Sequence, residues 1–173
     1  MKNKNFIRVL CVSLILFLSW STYHYWNLYN ELLEDSRDKH GMEIFELARS
    51  FDNLSELFLY NEQPHELSKT FFGIANPHAK MSRINGDYRG RPISYNEFEE
   101  PLNYLYKKLE DDITKEESEL IHEKVKEVAD LYYSVTDTDL SEMLTEVSRE
   151  RLEEKSNQAL NILNELVREL EKY

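Results

Sequence analysis

The chain of 173 residues holds one cysteine, four glycines and four prolines. A lone Cys11 excludes an internal disulfide framework and any Cys-x-x-Cys redox or metal site. Scarce Gly and Pro supply too few turns for many short strands, and with abundant Leu, Glu and Lys the composition predicts long helices. Also missing are a Gly-x-Ser-x-Gly elbow, a phosphate-binding Gly-Lys loop and an HExxH pair. The motif-based routes to a hydrolase, an NTPase or a zincin are therefore closed. The expectation is a protein that binds rather than catalyses, with no cofactor assigned.

Positive charge is the next shortage. Asp and Glu number 33 against 21 Lys and Arg, a formal net charge of -12. Every acidic residue follows Trp26, so the part beyond it carries 33 acidic against 18 basic side chains. Such a surface disfavours nucleic acid and anionic lipid as partners.

What is present begins at the N-terminus. Lys2, Lys4 and Arg8 introduce an apolar run that ends among Trp20, Tyr23, Tyr25, Trp26 and Tyr29. A helix from Phe6 to Trp26, at about 1.5 Å per residue, covers the roughly 30 Å hydrocarbon core of a bilayer. Aromatic rings settle at a membrane interface, and the positive flank predicts a cytoplasmic N-terminus. Ser19 and Ser21 offer a cleavage site for the rival reading, a signal peptide followed by a secreted chain starting near Thr22. Trp20 between those serines, and the aromatic belt after them, favour an uncleaved anchor. Cys11 has no lipidation motif around it and reads as a small residue of the span.

Beyond the anchor, apolar residues recur at helical spacing. Ile44, Leu47, Phe51, Leu54 and Phe58 form one stripe, which Leu28, Leu32 and Leu33 extend upstream across a weak point at Gly41. Pro64 opens a short helix with Leu67, Phe71 and Phe72 inward. Ser94 and Glu97 make a capping box before Phe98, Leu102, Leu105, Leu109 and Ile113, with Pro101 in the first turns. Thr114 and Glu117 make a second, before Ile121, Val125, Val128, Tyr132 and Val135. Thr138 or Asp139 caps the last helix, carried by Leu140, Leu144, Val147, Leu160, Leu163, Leu166, Val167 and Leu170. Its seam is interrupted between Arg151 and Asn157, which predicts a projecting or bent helix there.

One segment opposes this pattern. Residues 73–93 hold three of the four glycines and two of the prolines, and read as a long loop. Lys80, Arg83, Arg89 and Arg91 face only Asp87 within it. Either these cations neutralise part of the acidic domain, or they bind an external anion, since arginine forks suit carboxylate and phosphate.

Two Glu-x-x-His pairs, Glu62 with His65 and Glu119 with His122, have the spacing that places carboxylate and imidazole on one helix face. Chance pairs are expected in a chain so rich in Glu, and no metal ligand is assigned. His40, His65 and His78 are the remaining acid–base candidates outside the anchor, read as solvated. Asn53-Leu54-Ser55 matches a glycosylation sequon inside a helical stripe, an accidental match. Tyr104, Tyr106, Tyr132 and Tyr133 read as core-edge residues with wet hydroxyls.

The sequence thus predicts an all-α protein: a tail over 1–5, a single transmembrane signal-anchor helix over 6–26, and an extracytoplasmic domain over 27–173. That domain is expected to be an antiparallel bundle of four to five helices, with the basic Gly/Pro loop at 73–93. In outline this is similar to the sensor domains of bacterial receptors. Those chains return through the membrane, whereas no second apolar span follows here, so a partner in the membrane or cell envelope is expected.

Overall fold

In a computed structural model, the described residues are 2–59, 77, 80–81, 83–84, 95–109, 112–136 and 144–172, with the side chains of 2–5 and 7 excepted. Among them there is no strand, and the fold is all-helical. Helix α1 spans Lys2–Leu59, α2 Glu99–Lys108, α3 Lys115–Thr136 and α4 Glu146–Leu170, with a single 3-10 turn, Asn96–Phe98, ahead of α2. Contacts divide the chain into two compact units, Met1–Asp38 and Lys39–Tyr173.

The first unit is the N-terminal part of α1, long and apolar enough to span a membrane. It extends to Asp38. Leu28, Tyr29 and Leu32 are 43%, 60% and 57% exposed.

The second unit contains the core. Ile44, Leu47, Phe51, Leu54 and Phe58 of α1 are buried, as are Ile121, Val125, Val128, Tyr132 and Val135 of α3. Both stripes fall where the periodicity predicts. Gly41 does not interrupt α1; the helix passes through it despite the roughly 1 kcal/mol that a helical glycine costs, and Gly41 is buried. The contacts between α1 and α3 share one register. Phe45 meets Tyr133 edge-on at 5.5 Å, Lys126 Nζ reaches Asp52 Oδ1 at 2.8 Å, His122 Nδ1 lies 3.2 Å from the Ser55 carbonyl, and the Ser118 hydroxyl donates to the Phe58 carbonyl. As numbers rise along α1 they fall along α3, so the two segments run antiparallel.

Helices α2 and α4 differ from expectation at their ends. Pro101 sits in the first turn of α2, where its missing N–H is an orphan in any case. The helix stops at Lys108, so Ile113 is non-helical and only partly buried. Ser94 lies outside the described residues. Helix α4 is capped by Thr145, whose hydroxyl accepts from Ser148 N at 3.2 Å, in place of Thr138 or Asp139. Val147, predicted to be buried, is 58% exposed. Ahead of the cap, Leu144 takes φ 60, a left-handed conformation that costs a branched side chain about 1–2 kcal/mol.

The interruption in the α4 seam disappears on inspection of the small residues. Ser148, Leu152, Ser156, Ala159, Leu163, Leu166 and Leu170 are all buried, at spacings of three and four. Serines occupy core positions, and one continuous helix needs neither bend nor projection to pass them. Tyr132, wholly buried and stacked on Phe51 at 5.6 Å, donates its hydroxyl to Ser156 Oγ at 3.2 Å. A large side chain on α3 therefore faces a small polar one on α4. Tyr132 is thus a core residue with a buried hydroxyl, not a core-edge residue with a wet one.

Candidate functional site

The described part of the basic segment departs from the expected loop. Its described residues, 77, 80, 81, 83 and 84, are helical. Pro77, Met81 and Ile84, at helical spacing, are buried, and the last two belong to the core. Burial of that face leaves Lys80 at the margin and Arg83 exposed. Lys80 forms an ion pair with Glu46 of α1. That hydrogen bond, with the charges of Lys80, Arg83 and Arg49 nearby, holds the Glu46 carboxyl below its ordinary range. Two of the four predicted anion ligands are thus set around an internal carboxylate. Arg89 and Arg91 lie outside the described residues.

The residues of the second Glu-x-x-His pair diverge. Glu119 is exposed and pairs with Lys115 at 3.5 Å, an ion pair along the helix surface. His122 instead turns toward α1, where its Nδ1–H donates to the Ser55 carbonyl, an acceptor that fixes the proton on that nitrogen. Together with Ser118, it supplies donors from α3 to the Ser55 and Phe58 carbonyls of α1. Among the described residues, no three His, Cys, Asp or Glu side chains are grouped as metal ligands. Glu62, His65 and His78 lie outside the described residues, and His40 is fully buried rather than solvated. The sequon serine, Ser55, is also buried and donates to the Asp52 carbonyl at 2.7 Å.

The Thr114–Glu117 capping box forms as the spacing requires. Thr114 N donates to Glu117 Oε2 at 2.8 Å and Glu117 N donates to Thr114 Oγ1 at 3.2 Å. Lys108, at the end of α2, adds an ion pair to Glu117 Oε1 at 2.9 Å. The backbone hydrogen bond from Thr114 and then the Lys108 hydrogen bond hold the Glu117 carboxyl below its ordinary range. This box is scaffolding, since its carboxylate is consumed by structural donors.

Among the described residues, exposed large apolar side chains concentrate on the N-terminal part of α1. Phe6, Ile15, Leu16, Phe17, Trp20 and Trp26 are each at least 60% exposed. Phe17, Trp20 and His24 form a ring ladder along one side, with centroids 6.4 Å and 5.7 Å apart and the Trp20 and His24 planes 2° from parallel. In the second unit, Met42 and Phe45, three residues apart on α1, are 59% and 40% exposed, and Phe45 meets Tyr133 edge-on. No protein-family model, curated protein or solved structure matches the chain.

Proposed function

We propose that the chain is a single-pass membrane protein, with the N-terminus cytoplasmic and an antiparallel helical bundle outside. It acts by binding, as an interaction or regulatory subunit of a cell-envelope complex. The carrying observation is the bare apolar length of α1. About a dozen large apolar side chains there have no protein against them. At roughly 1.5–3 kcal/mol each, leaving them in water costs on the order of 20 kcal/mol, beyond the ~5–15 kcal/mol that holds a domain together. Lipid removes that cost. The positive residues before the span supply the orientation.

The subunit reading draws on the acidic helical unit, where Glu117 and His122 are occupied by structural partners, and on the exposed Met42 and Phe45, which suit a protein surface better than a small ligand. The alternative, capture of an anion by the basic segment, is weakened because Lys80 already serves Glu46.

Membrane fractionation tests the anchor. The protein is expected in the pellet after both high-salt and alkaline washes, because apolar burial is insensitive to ionic strength. A soluble product beginning near Thr22 would establish signal-peptide cleavage instead. Protease added outside sealed cells should digest the second unit, and protection of that unit would reverse the orientation. Affinity capture from detergent-solubilised membranes tests the subunit role. A stoichiometric envelope protein is expected, and capture of none would remove that role.

A further inference from the structure

The cations around Glu46 outnumber what that carboxylate uses. Lys80 closes the ion pair with Glu46. Three residues beyond each partner stands an arginine, Arg49 on α1 and Arg83 on the basic segment, and that spacing keeps each on the side of its helix where the pair forms. Both arginines are exposed, and both lie near enough for their charge to act on the Glu46 carboxyl. Burial of Met81 and Ile84 in the core fixes the basic segment where it places Arg83. Among the described residues, no carboxylate forms an ion pair with either arginine; Asp52, one turn beyond Arg49, is taken by Lys126 at 2.8 Å. Three positive charges thus meet one negative charge, in a chain of net charge -12.

Apolar side chains adjoin this cationic patch. Met42, Phe45 and Arg49 follow one another at spacings of three and four along one side of α1, and all three are exposed. Tyr133 holds the Phe45 ring edge-on at 5.5 Å, and Arg49 is close enough to the Tyr133 phenol for its charge to act there as well. Arg49 therefore joins the cationic side of the patch to the apolar side.

We propose that Arg49 and Arg83, with Met42 and Phe45 beside them, dock an acidic, partly apolar segment of a partner protein. Charge complementarity names the occupant. Arginine forks pair with carboxylates through two parallel hydrogen bonds, and the Lys80–Glu46 pair already seats one carboxylate among these cations. A free small anion would cover the arginines and leave Met42 and Phe45 in water. An anionic bilayer would have to approach a part of the chain that carries 33 acidic against 18 basic side chains, whereas a narrow segment reaches the patch alone. The proposal rests on the subunit reading above and adds the chemistry of the partner's contact.

The test uses the full-length protein in an uncharged detergent. The probe is a fluorescein-labelled amphipathic helical peptide with glutamates and leucines along one side, and its control has glutamine for every glutamate. Anisotropy titrations should show the glutamate peptide binding at least about tenfold more tightly, a difference of about 1.4 kcal/mol that shrinks as salt is raised. Arg49→Gln with Arg83→Gln should remove that preference without moving the melting temperature, and Phe45→Ser should weaken binding at unchanged charge. Glu46→Gln frees Lys80 and should tighten the glutamate peptide, whereas Glu119→Gln, which removes the same charge from the surface of α3, should leave it unchanged. Equal affinity for both peptides, or an unaffected double variant, would overturn the docking. So would displacement of the peptide by inorganic phosphate at matched ionic strength, arginine-dependent binding to phosphatidylserine vesicles, or dimers of the parent that the double variant loses, since these assign the patch to a small anion, to lipid or to a second copy. Capture from solubilised membranes separates the two readings. An envelope protein still captured by the double variant would overturn this site and leave the subunit reading standing, while capture of none by the parent would remove that reading and the docking with it.

Discussion

Glu117, buried at the start of α3, closes a capping box and receives Lys108 from the neighbouring helix. Its carboxyl is held below the ordinary glutamate value, so the unfolded chain takes up a proton there before the folded one does. The stabilisation is fully present above that value and is lost as pH falls through the lower, folded one. Glu117→Ala should cost about 1–2 kcal/mol at neutral pH, and the deficit should shrink toward zero in acid, as read by thermal melts of parent and variant. Tyr132 offers a complementary case at the core. Burial pushes its phenol well above its ordinary range, so no phenolate should form before unfolding in alkali. Tyr132→Phe strands the Ser156 hydroxyl and should cost about 0.5–1.5 kcal/mol, whereas Ser156→Leu overfills the gap opposite Tyr132 and should cost about 1–3 kcal/mol. Denaturant midpoints would separate the two, and a neutral Ser156→Leu would place that residue outside the core.

At the scale of elements, α1 and α3 are joined by two kinds of contact that differ greatly in worth. The Phe51–Tyr132 stack and the buried Leu54 and Val128 bring two apolar stripes together, so Leu54→Asp or Val128→Asp should abolish cooperative unfolding. Asp52 and Lys126, 2.8 Å apart but 32% and 46% exposed, fix register more than they stabilise. A double-mutant cycle on that pair should return under about 1 kcal/mol and shrink with salt. The two apolar stripes were legible because a period of 3.6 needs no knowledge of the partner. The α4 seam was not, because Ser148 and Ser156 count as polar until Tyr132 is seen opposite the second of them. Gly and Pro in residues 73–93 concealed a helical face that the spacing of Pro77, Met81 and Ile84 already encoded. Thr138, Asp139 and Thr145 all have cap-competent side chains, and local chemistry alone did not choose among them.

For the whole molecule, the boundary at Asp38 separates a unit whose apolar surface is bare from one that contains a core. A chain shortened to begin at Lys39 should therefore be soluble and mainly helical, with one cooperative thermal transition by circular dichroism. Aggregation of that chain, relieved by restoring residues 27–38, would show that the second unit needs the upstream helix. The sequence by itself determined the helical class, the apolar span and the buried positions of α1 and α3, since these follow from composition, run length and local period. It also contained the Thr114–Glu117 box, whose partners are three residues apart. Only the tertiary structure decided which polar groups are consumed by the scaffold: Lys80 by Glu46, His122 by Ser55, Tyr132 by Ser156. Those partners stand 24 to 67 residues apart in the chain. No local pattern encodes such a pairing, because it arises from which helix faces meet once the apolar stripes have been buried.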